Sequence, residues 1–157
     1  MGLRQTFHDE TVSKLPLRPV LTIAPSSTVR KAVRKMKKHG LGCLFVADEF
    51  ERPLGRFTER DLIRELGRNP TALDQPVSTY MTPNEECLSE SDPIEAVFNE
   101  MKDRGRRFIC ITEREGGKMV GLTGQKSLME YIAENFPRQV KVQMMESKLY
   151  MDEREGA

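Results

Sequence analysis

The sequence repeats one order of apolar, glycine and turn residues, at residues 29–62 and again at residues 94–128. Met36 and Met101 are 65 positions apart. After the predicted hairpin, equivalent residues of the two copies are 66 positions apart, so the hairpin of the second copy contains one extra residue. A repeated supersecondary unit needs a neighbour to bury its apolar face. At 157 residues the chain has the size of one domain, so we expect two half-size units that share a core.

Each copy has the pattern of a β-α-β-β-α unit. In the first copy, apolar residues at helical spacing predict a helix that Ser26 or Ser27 caps and that ends at His39, with Gly40 as its C-cap. Continuous apolar runs predict the strands. The first unit is predicted as strand 20–23, helix to 39, strands 43–47 and 54–57, and helix 59–66, and the second as strand 87–88, helix 93–104, strands 108–112 and 119–123, and helix 127–134.

Around these units we divide the chain into four parts. Residues 1–17 are a lead-in that has no sustained period, 18–76 and 77–136 are the two copies, and 137–157 are a tail. The tail alternates charge and methionine, and the sequence leaves it open whether it docks on the domain or is disordered.

The charge balance argues against a polyanionic partner. With 25 basic and 24 acidic residues the net charge is +1, which gives no global field for nucleic acid or an anionic membrane. The basic run at residues 30–38 is interpreted as the solvated face of an amphipathic helix, and nucleic-acid binding along it is kept as a weaker alternative.

The cysteines and histidines do not have the spacing of a metal site. Cys43, Cys87 and Cys110 form no C-x-x-C pair, and His8 and His39 are the only imidazoles. The chain has no secretory h-region and no apolar run long enough for a membrane span, so we expect a cytoplasmic protein with reduced thiols. No catalytic motif is present, so we predict a non-enzymatic protein that requires no cofactor.

One segment resembles a known family. Residues 55–62, Gly-Arg-Phe-Thr-Glu-Arg-Asp-Leu, follow the predicted β-α-β units and resemble the signature of the cystathionine-β-synthase (CBS) domain. A tandem pair of such domains is a Bateman module, and the resemblance covers roughly residues 18–135. It implies an α/β fold of two β-α-β-β-α units that are related by pseudo-twofold symmetry, pack through their sheets and form a homodimer.

The resemblance also implies a ligand site. In this family adenosine nucleotides bind in the cleft between the copies, and the motif threonine and aspartate, here Thr58 and Asp61, hold the ribose hydroxyls. By position, the base slot would come from the first strand and the start of the second strand, with Phe57 as its floor, and basic residues of the other copy would face the phosphates. The candidate nucleotide contacts are Thr22, Ile23, Gly42, Cys43, Phe57, Thr58, Arg60, Asp61, Arg106 and Arg107.

Two observations on the motif leave alternatives open. The spacing of Thr58 and Asp61 is also that of a helix capping box, and the two roles can coexist. In the second copy the equivalent positions are Gly124 and Ser127, so that copy lacks the ribose-binding carboxylate. We therefore predict one competent site per chain, with the second site empty or much weaker.

The leading hypothesis is a sensor of AMP, ADP or ATP that regulates an enzyme or transporter which the sequence does not identify. S-adenosylmethionine is an alternative ligand, because members of the family bind it. A non-catalytic dimerisation or scaffold protein with decayed nucleotide sites is the alternative function.

Overall fold

A computed structural model describes residues 2–83 and 85–136, so the predicted tail at 137–157 lies outside the described residues. None of the helices in this part of the chain is long and apolar enough to cross a membrane. The helices are α1 (Leu3–Asp9), α2 (Val29–His39), α3 (Glu59–Arg68), α4 (Ile94–Arg104) and α5 (Gln125–Asn135), and the strands are β1 (Thr22–Ile23), β2 (Cys43–Ala47), β3 (Pro53–Thr58), β4 (Thr82–Pro83), β5 (Leu88–Ser89), β6 (Phe108–Thr112) and β7 (Met119–Gly124).

The strands form two sheets, and β4, although it lies within residues 77–136, pairs with β3 of the first copy. The first sheet has the order β1-β2-β3-β4 and the second has the order β5-β6-β7. In both, the first strand is parallel to the second, which forms an antiparallel hairpin with the third. The hairpin loops span residues 48–52 and 113–118, so the second is one residue longer. The predicted α/β fold with repeated β-α-β-β-α units is confirmed, as is the position of the extra residue.

The central strands alternate between two cores, as the period of two in a strand requires. Leu44 and Val46 of β2 face the core beneath the helices of the first copy. Phe45 and Ala47 face the other side, in a cluster that includes Cys110 of β6. Phe45 and Cys110 are 65 positions apart, so equivalent residues of the two copies lie in the same cluster. The sheets therefore pack against each other about a pseudo-twofold axis, as expected.

In α2 and α4 the helix ends match the sequence prediction better than the helix starts do. Gly40 and Gly105 end α2 and α4 with φ values of 63° and 62°, the left-handed region in which glycine is favoured. The N-cap of α2 is Thr28, whose hydroxyl accepts a bond from Lys31 N at 3.2 Å, so the predicted caps Ser26 and Ser27 are wrong. The physical reason is a long-range contact, because Val29 N donates to Gln75 O at 2.9 Å and fixes where the helix begins.

In the second copy too, a long-range backbone contact accompanies the start of the helix, and no side chain caps it. Pro93 is the N-cap of α4 and makes no side-chain cap bond. The Asp92 carboxylate accepts from Ser89 N at 2.7 Å and the Ser91 hydroxyl contacts that of Ser89, so neither side chain caps the helix. Ile94 N donates to Glu10 O at 2.9 Å, which repeats the contact between Val29 and Gln75.

The lead-in is part of the second copy. The ring of Phe7 in α1 lies 4.8 Å from that of Phe98 in α4, measured between centroids. Phe7, Val12 and Leu15 are buried in the core that also contains Ile109 of β6. Residues that precede the first copy in the sequence therefore complete the core of the second.

Candidate functional site

The start of α3 holds a buried carboxylate in a fixed position. Thr58 ends β3 and is the N-cap of α3, and its hydroxyl accepts from Asp61 N at 3.3 Å. Asp61 Oδ2 accepts from the backbone N–H and the hydroxyl of Thr58, both at 2.9 Å. Asp61 is only 5% exposed, and its Oδ1 accepts from Nη2 of the exposed Arg64 at 2.9 Å. The predicted capping box is therefore complete, and Oδ1 is held by a surface side chain.

Two further predicted site residues lie beside this helix start. Cys43 pairs with Thr58 across the β2–β3 ladder, and Gly42 O accepts from Glu59 N at 3.0 Å. A Cβ at Gly42 would lie 3.1 Å from Glu59 Oε2, so the glycine permits a close approach. Burial raises the pKa of the Cys43 thiol to about 11, so it remains protonated at neutral pH. The structure thus brings Gly42, Cys43, Thr58 and Asp61 together at one end of the first sheet.

The other predicted parts of the base slot lie elsewhere. Thr22 and Ile23 pair with Phe45 and Val46, towards the opposite end of β2, where they line a separate cavity of about 600 Å³. This corrects the expectation that they share one slot with the start of β2. The parallel register of β1 on β2 is the reason for this difference. The earlier residue Val20 is the one that lies in the same cluster as Cys43.

Phe57 and Arg60 also differ from the expected arrangement. Phe57 is fully buried in the core beneath the helices of the first copy, so it does not form the floor of an open slot. Arg60 lies on α3 and is exposed to solvent. Alternation along β3 explains the burial of Phe57, since it points to the opposite face from its neighbours.

The two basic residues before β6 have different surroundings. Arg106 Nη1 donates to Glu86 O at 2.7 Å, and its guanidinium lies 3.5 Å from both Glu85 Oε1 and Glu100 Oε2. Arg107 is exposed and forms no ion pair with any residue that the structure describes. Arg107 is therefore available to an anion, whereas Arg106 already has acidic partners.

Sequence reasoning missed an arginine that joins the copies. Arg56 of β3 donates from Nη2 to Phe108 O of β6 at 3.0 Å and pairs with Glu85 Oε1 at 2.5 Å. Its guanidinium lies over the Phe45 ring, 5.2 Å from the centroid. The Glu85 side chain is 5% exposed and is shared between Arg56 and Arg106. The sequence signal for this role was a charged residue between Gly55 and Phe57 in a half-buried strand.

A larger cavity lies at the start of α5, the counterpart of the α3 site. Its volume is about 770 Å³. Here Gly124 and Ser127 occupy the positions that correspond to Thr58 and Asp61, so the site has no carboxylate at that position. The lining consists of Arg18, Pro19, Leu41, Met101, Gly105, Arg106, Arg107, Phe108, Leu122, Thr123, Gly124, Gln125, Lys126, Ser127 and Met129.

Two of the residues that line the second-copy cavity, as we call this space, have buried hydroxyls. Thr123 Oγ1 and Ser127 Oγ are buried and have no hydrogen-bond partner among the described residues. A Cβ at Gly124 would lie 2.5 Å from Arg107 O, so only glycine permits this approach of β7 to the start of β6. In the sequence, this site is found by adding the repeat spacing of 66 residues to the position of Asp61.

Comparison with known proteins identifies the repeated unit. A model of the CBS domain matches residues 12–68 and 77–134. An uncharacterised 17.7 kDa protein of Acidianus ambivalens is 30% identical over 117 residues, which are 74% of this chain and 70% of that protein. An uncharacterised protein of Methanopyrus kandleri is 28% identical over 129 residues, and the match covers 76% of this chain and 61% of that protein.

Solved structures show the same fold. An uncharacterised conserved protein of Pyrococcus horikoshii is 28% identical, with a TM-score of 0.64 over 78% of this chain and 92% of that one. The CBS domain protein PAE2072 of Pyrobaculum aerophilum, complexed with AMP, is 19% identical, with a TM-score of 0.65 over 86% and 98%. The CBS domain pair of protein MJ0100, in complex with 5′-methylthioadenosine and S-adenosyl-L-methionine, is 18% identical, with a TM-score of 0.65 over 79% and 96%.

The two family matches coincide with the two copies of the internal repeat and together span well over half of the chain. Pairs of such domains are generally regulatory modules rather than enzymes. The chain belongs to the CBS domain family, and it carries two CBS domains in tandem.

Proposed function

We propose that this CBS domain pair is a regulatory module that senses adenosine nucleotides, AMP, ADP or ATP, in the cleft between its two copies. Related structures support the ligand class, because one holds AMP and another holds methylthioadenosine and S-adenosylmethionine. All three compounds contain adenosine with a ribose cis-diol. The module would act as a homodimer on an enzyme or transporter.

The observation that carries the proposal is the buried, pre-positioned carboxylate of Asp61. A cis-diol is best held by an acceptor with free lone pairs on a group that does not move. Thr58 fixes Asp61 through Oδ2, and Oδ1 is bound by Arg64, an exposed side chain whose release costs little. A ribose hydroxyl that replaces Arg64 at Oδ1 would gain a charge-assisted hydrogen bond.

The proposal links the ligand to the relation between the copies. Arg106 and Arg107 of the second copy are the proposed phosphate contacts, and Arg106 shares Glu85 with Arg56 of the first copy. A phosphate that binds Arg106 would compete with Glu85, and so would change the surroundings of the Arg56–Glu85 ion pair that joins the copies. A ligand shifts the equilibrium between two orientations only to the extent that it binds them with different affinity.

One observation favours the alternative, a scaffold protein. The capping box of Thr58 and Asp61 is complete without a ligand, so the two residues have a sufficient structural role. On this alternative, loss of the Asp61 charge changes stability slightly and affects no ligand.

Calorimetric titration with AMP, ADP, ATP and S-adenosylmethionine tests the proposal, using the wild type, Asp61→Asn and Asp92→Asn. Asp92 is the matched control, because it accepts a backbone bond from Ser89 N near a helix start of the second copy but lies outside the group of Gly42, Cys43, Thr58 and Asp61. We expect saturable binding of at least one adenosine compound by the wild type, weakened about tenfold by Asp61→Asn through loss of a charged acceptor. Asp92→Asn should bind like the wild type.

Two results would contradict the proposal. Absence of binding by the wild type to all four compounds would leave the scaffold function. Equal affinity of the wild type and Asp61→Asn would limit Thr58 and Asp61 to capping α3.

A further inference from the structure

The second copy places two cysteines opposite each other on neighbouring strands. β5 and β6 pair in parallel, with Leu88 opposite Ile111. Cys87 and Cys110 each come one position earlier, so the same register sets them side by side. Neighbouring strands lie about 4.8 Å apart, and a disulfide joins Cα atoms that are about 4.4–6.8 Å apart. The backbone positions therefore suit a disulfide.

The internal repeat supports this pairing independently. The residues 65 positions before Cys87 and Cys110 are Thr22 and Phe45. In the first copy these two residues are register partners of the parallel pair β1 and β2. The equivalent backbone pair thus carries two thiols in the second copy and none in the first.

The two thiols also lie on the same face of the second sheet. Leu88 and Ile111 face the core beneath the helices of the second copy. Because side chains alternate along a strand, Cys87 and Cys110 face the opposite side, in the cluster between the two sheets. The pKa of the Cys110 thiol is raised far above its usual range, first by its interaction with the Cys87 thiol and then by burial. The two sulfur atoms are therefore neighbours.

The two cysteines differ in their access to solvent. Cys87 is half-buried and Cys110 is fully buried. A small oxidant in solution reaches the half-buried sulfur first, and the buried sulfur is then placed to attack it. The third cysteine, Cys43, lies in the same cluster but opposite Thr58 in the β2–β3 ladder, and burial raises its pKa to about 11. Its ladder partner has no thiol.

We propose that Cys87 and Cys110 form a redox modification site, at which hydrogen peroxide oxidises the two thiols to a reversible disulfide within one chain. The oxidation proceeds in two steps. The Cys87 thiolate attacks one peroxide oxygen, so an S–O bond forms, the O–O bond breaks, and the leaving hydroxide takes up the proton that Cys87 released. The Cys110 sulfur then attacks the Cys87 sulfur, so the S–S bond forms, the S–O bond breaks, and the Cys110 proton leaves with the hydroxide as water. Two thiols and one peroxide thus give one disulfide and two waters.

The disulfide would lie next to the acid that joins the copies. Cys87 is two residues after Glu85, and its Sγ lies 3.9 Å from Glu85 O. The Glu85 carboxylate pairs with Arg56 of the first copy and Arg106 of the second. A covalent bond from Cys87 to β6 restricts this segment and closes a loop of roughly 20 residues, which stabilises the fold. The oxidised chain should therefore resist thermal unfolding better than the reduced chain.

The first test is mass spectrometry of the folded wild type after treatment with hydrogen peroxide. The chain should lose about 2 Da, the mass of two hydrogen atoms. N-ethylmaleimide added in denaturant should then label Cys43 alone, and dithiothreitol should restore labelling of all three cysteines. Trypsin should release one species that joins peptide 69–102, which contains Cys87, to peptide 108–114, which contains Cys110.

Variants then assign the bond. Cys87→Ala and, separately, Cys110→Ala should abolish the loss of about 2 Da, with far-UV circular dichroism as the check that each is folded. Cys43→Ala is the matched control, because it removes a thiol of the same cluster and should still form the disulfide. The melting temperature of the wild type should rise by about 5 °C or more on oxidation, and that of Cys87→Ala should not.

Each unfavourable result overturns a distinct statement. If all three thiols of the oxidised wild type still react with N-ethylmaleimide, the modification site is refuted. If peptide 39–52, which contains Cys43, appears in the joined species, the pairing is wrong. If dithiothreitol does not restore the thiols, the product is not a reversible disulfide. If the oxidised and reduced chains melt at the same temperature, the bond does not restrict the junction of the copies.

Discussion

At the scale of single residues, the two copies differ most where α3 and α5 begin. Asp61 is a buried acid at the positive end of a helix, whereas its counterpart Ser127 sits beside the basic Lys126. The first arrangement stabilises the helix start, whereas the positive charge of Lys126 is unfavourable at the start of α5.

The substitution Lys126→Glu tests whether the positive charge at the start of α5 lowers stability. It removes an unfavourable charge from the N-terminus of α5 and adds a favourable one, so the free energy of unfolding should rise by about 0.5–1 kcal/mol in urea denaturation. Lys118→Glu, the same charge reversal in an exposed loop, should change stability by less than about 0.5 kcal/mol. A destabilised Lys126→Glu protein would contradict the argument.

Some residue roles were readable from the sequence and others were not. The Thr58–Asp61 capping box follows from local spacing, and the structure forms it. The positions of Thr22 and Ile23 depend on the register of β1 on β2, which no local pattern specifies. Arg56 gains its role only from Glu85 and the second copy, so its importance required the tertiary structure.

At the scale of elements, each copy is completed by the segment that precedes the other copy. Residues 10–12 lie beside the start of α4, and residues 75–77 lie beside the start of α2, a shift of 65 positions. The repeat therefore includes the segments that precede each copy and their contacts with the helix starts, as well as the apolar pattern. The end of α2 at His39 was predictable because Gly40 is a local stop, but its start at Thr28 depends on residues 75–77. Docking of α1 was not predictable, because residues 1–17 lack a clear period.

Phe7→Ala tests whether α1 belongs to the second copy. Phe7 is buried against Phe98, so truncation should cost about 3 kcal/mol of unfolding free energy. Hydrogen exchange should accelerate in α4 and α5 before it does in α2. His8→Ala is the control on the same helix, because its contact with Glu95 is exposed and contributes under about 1 kcal/mol. A cost below about 1 kcal/mol for Phe7→Ala, or exchange that rises first in α2, would show that α1 is not part of this core.

At the scale of the whole molecule, the pseudo-twofold axis relates two exposed apolar side chains. Ile63 on α3 is 73% exposed and Met129 on α5 is 57% exposed, and the two are 66 positions apart. Equivalent positions on equivalent helices thus present apolar surface on one molecule. A second copy of the chain is the partner that this symmetry suits, since an isologous interface uses the same patch on both subunits.

The homodimer is tested by Ile63→Asp combined with Met129→Asp. A twofold interface would bring four carboxylates into an apolar contact, and buried unpaired charges are costly, so the dissociation constant should rise at least about 100-fold. Sedimentation equilibrium at micromolar concentration measures this, with a dimeric wild type and a monomeric variant expected. Phe50→Asp is the control, because Phe50 is 62% exposed but lies in the 48–52 hairpin and belongs to neither helix. A monomeric wild type, or a dimer that only Phe50→Asp disrupts, would place the apolar surface of α3 and α5 outside any self-association.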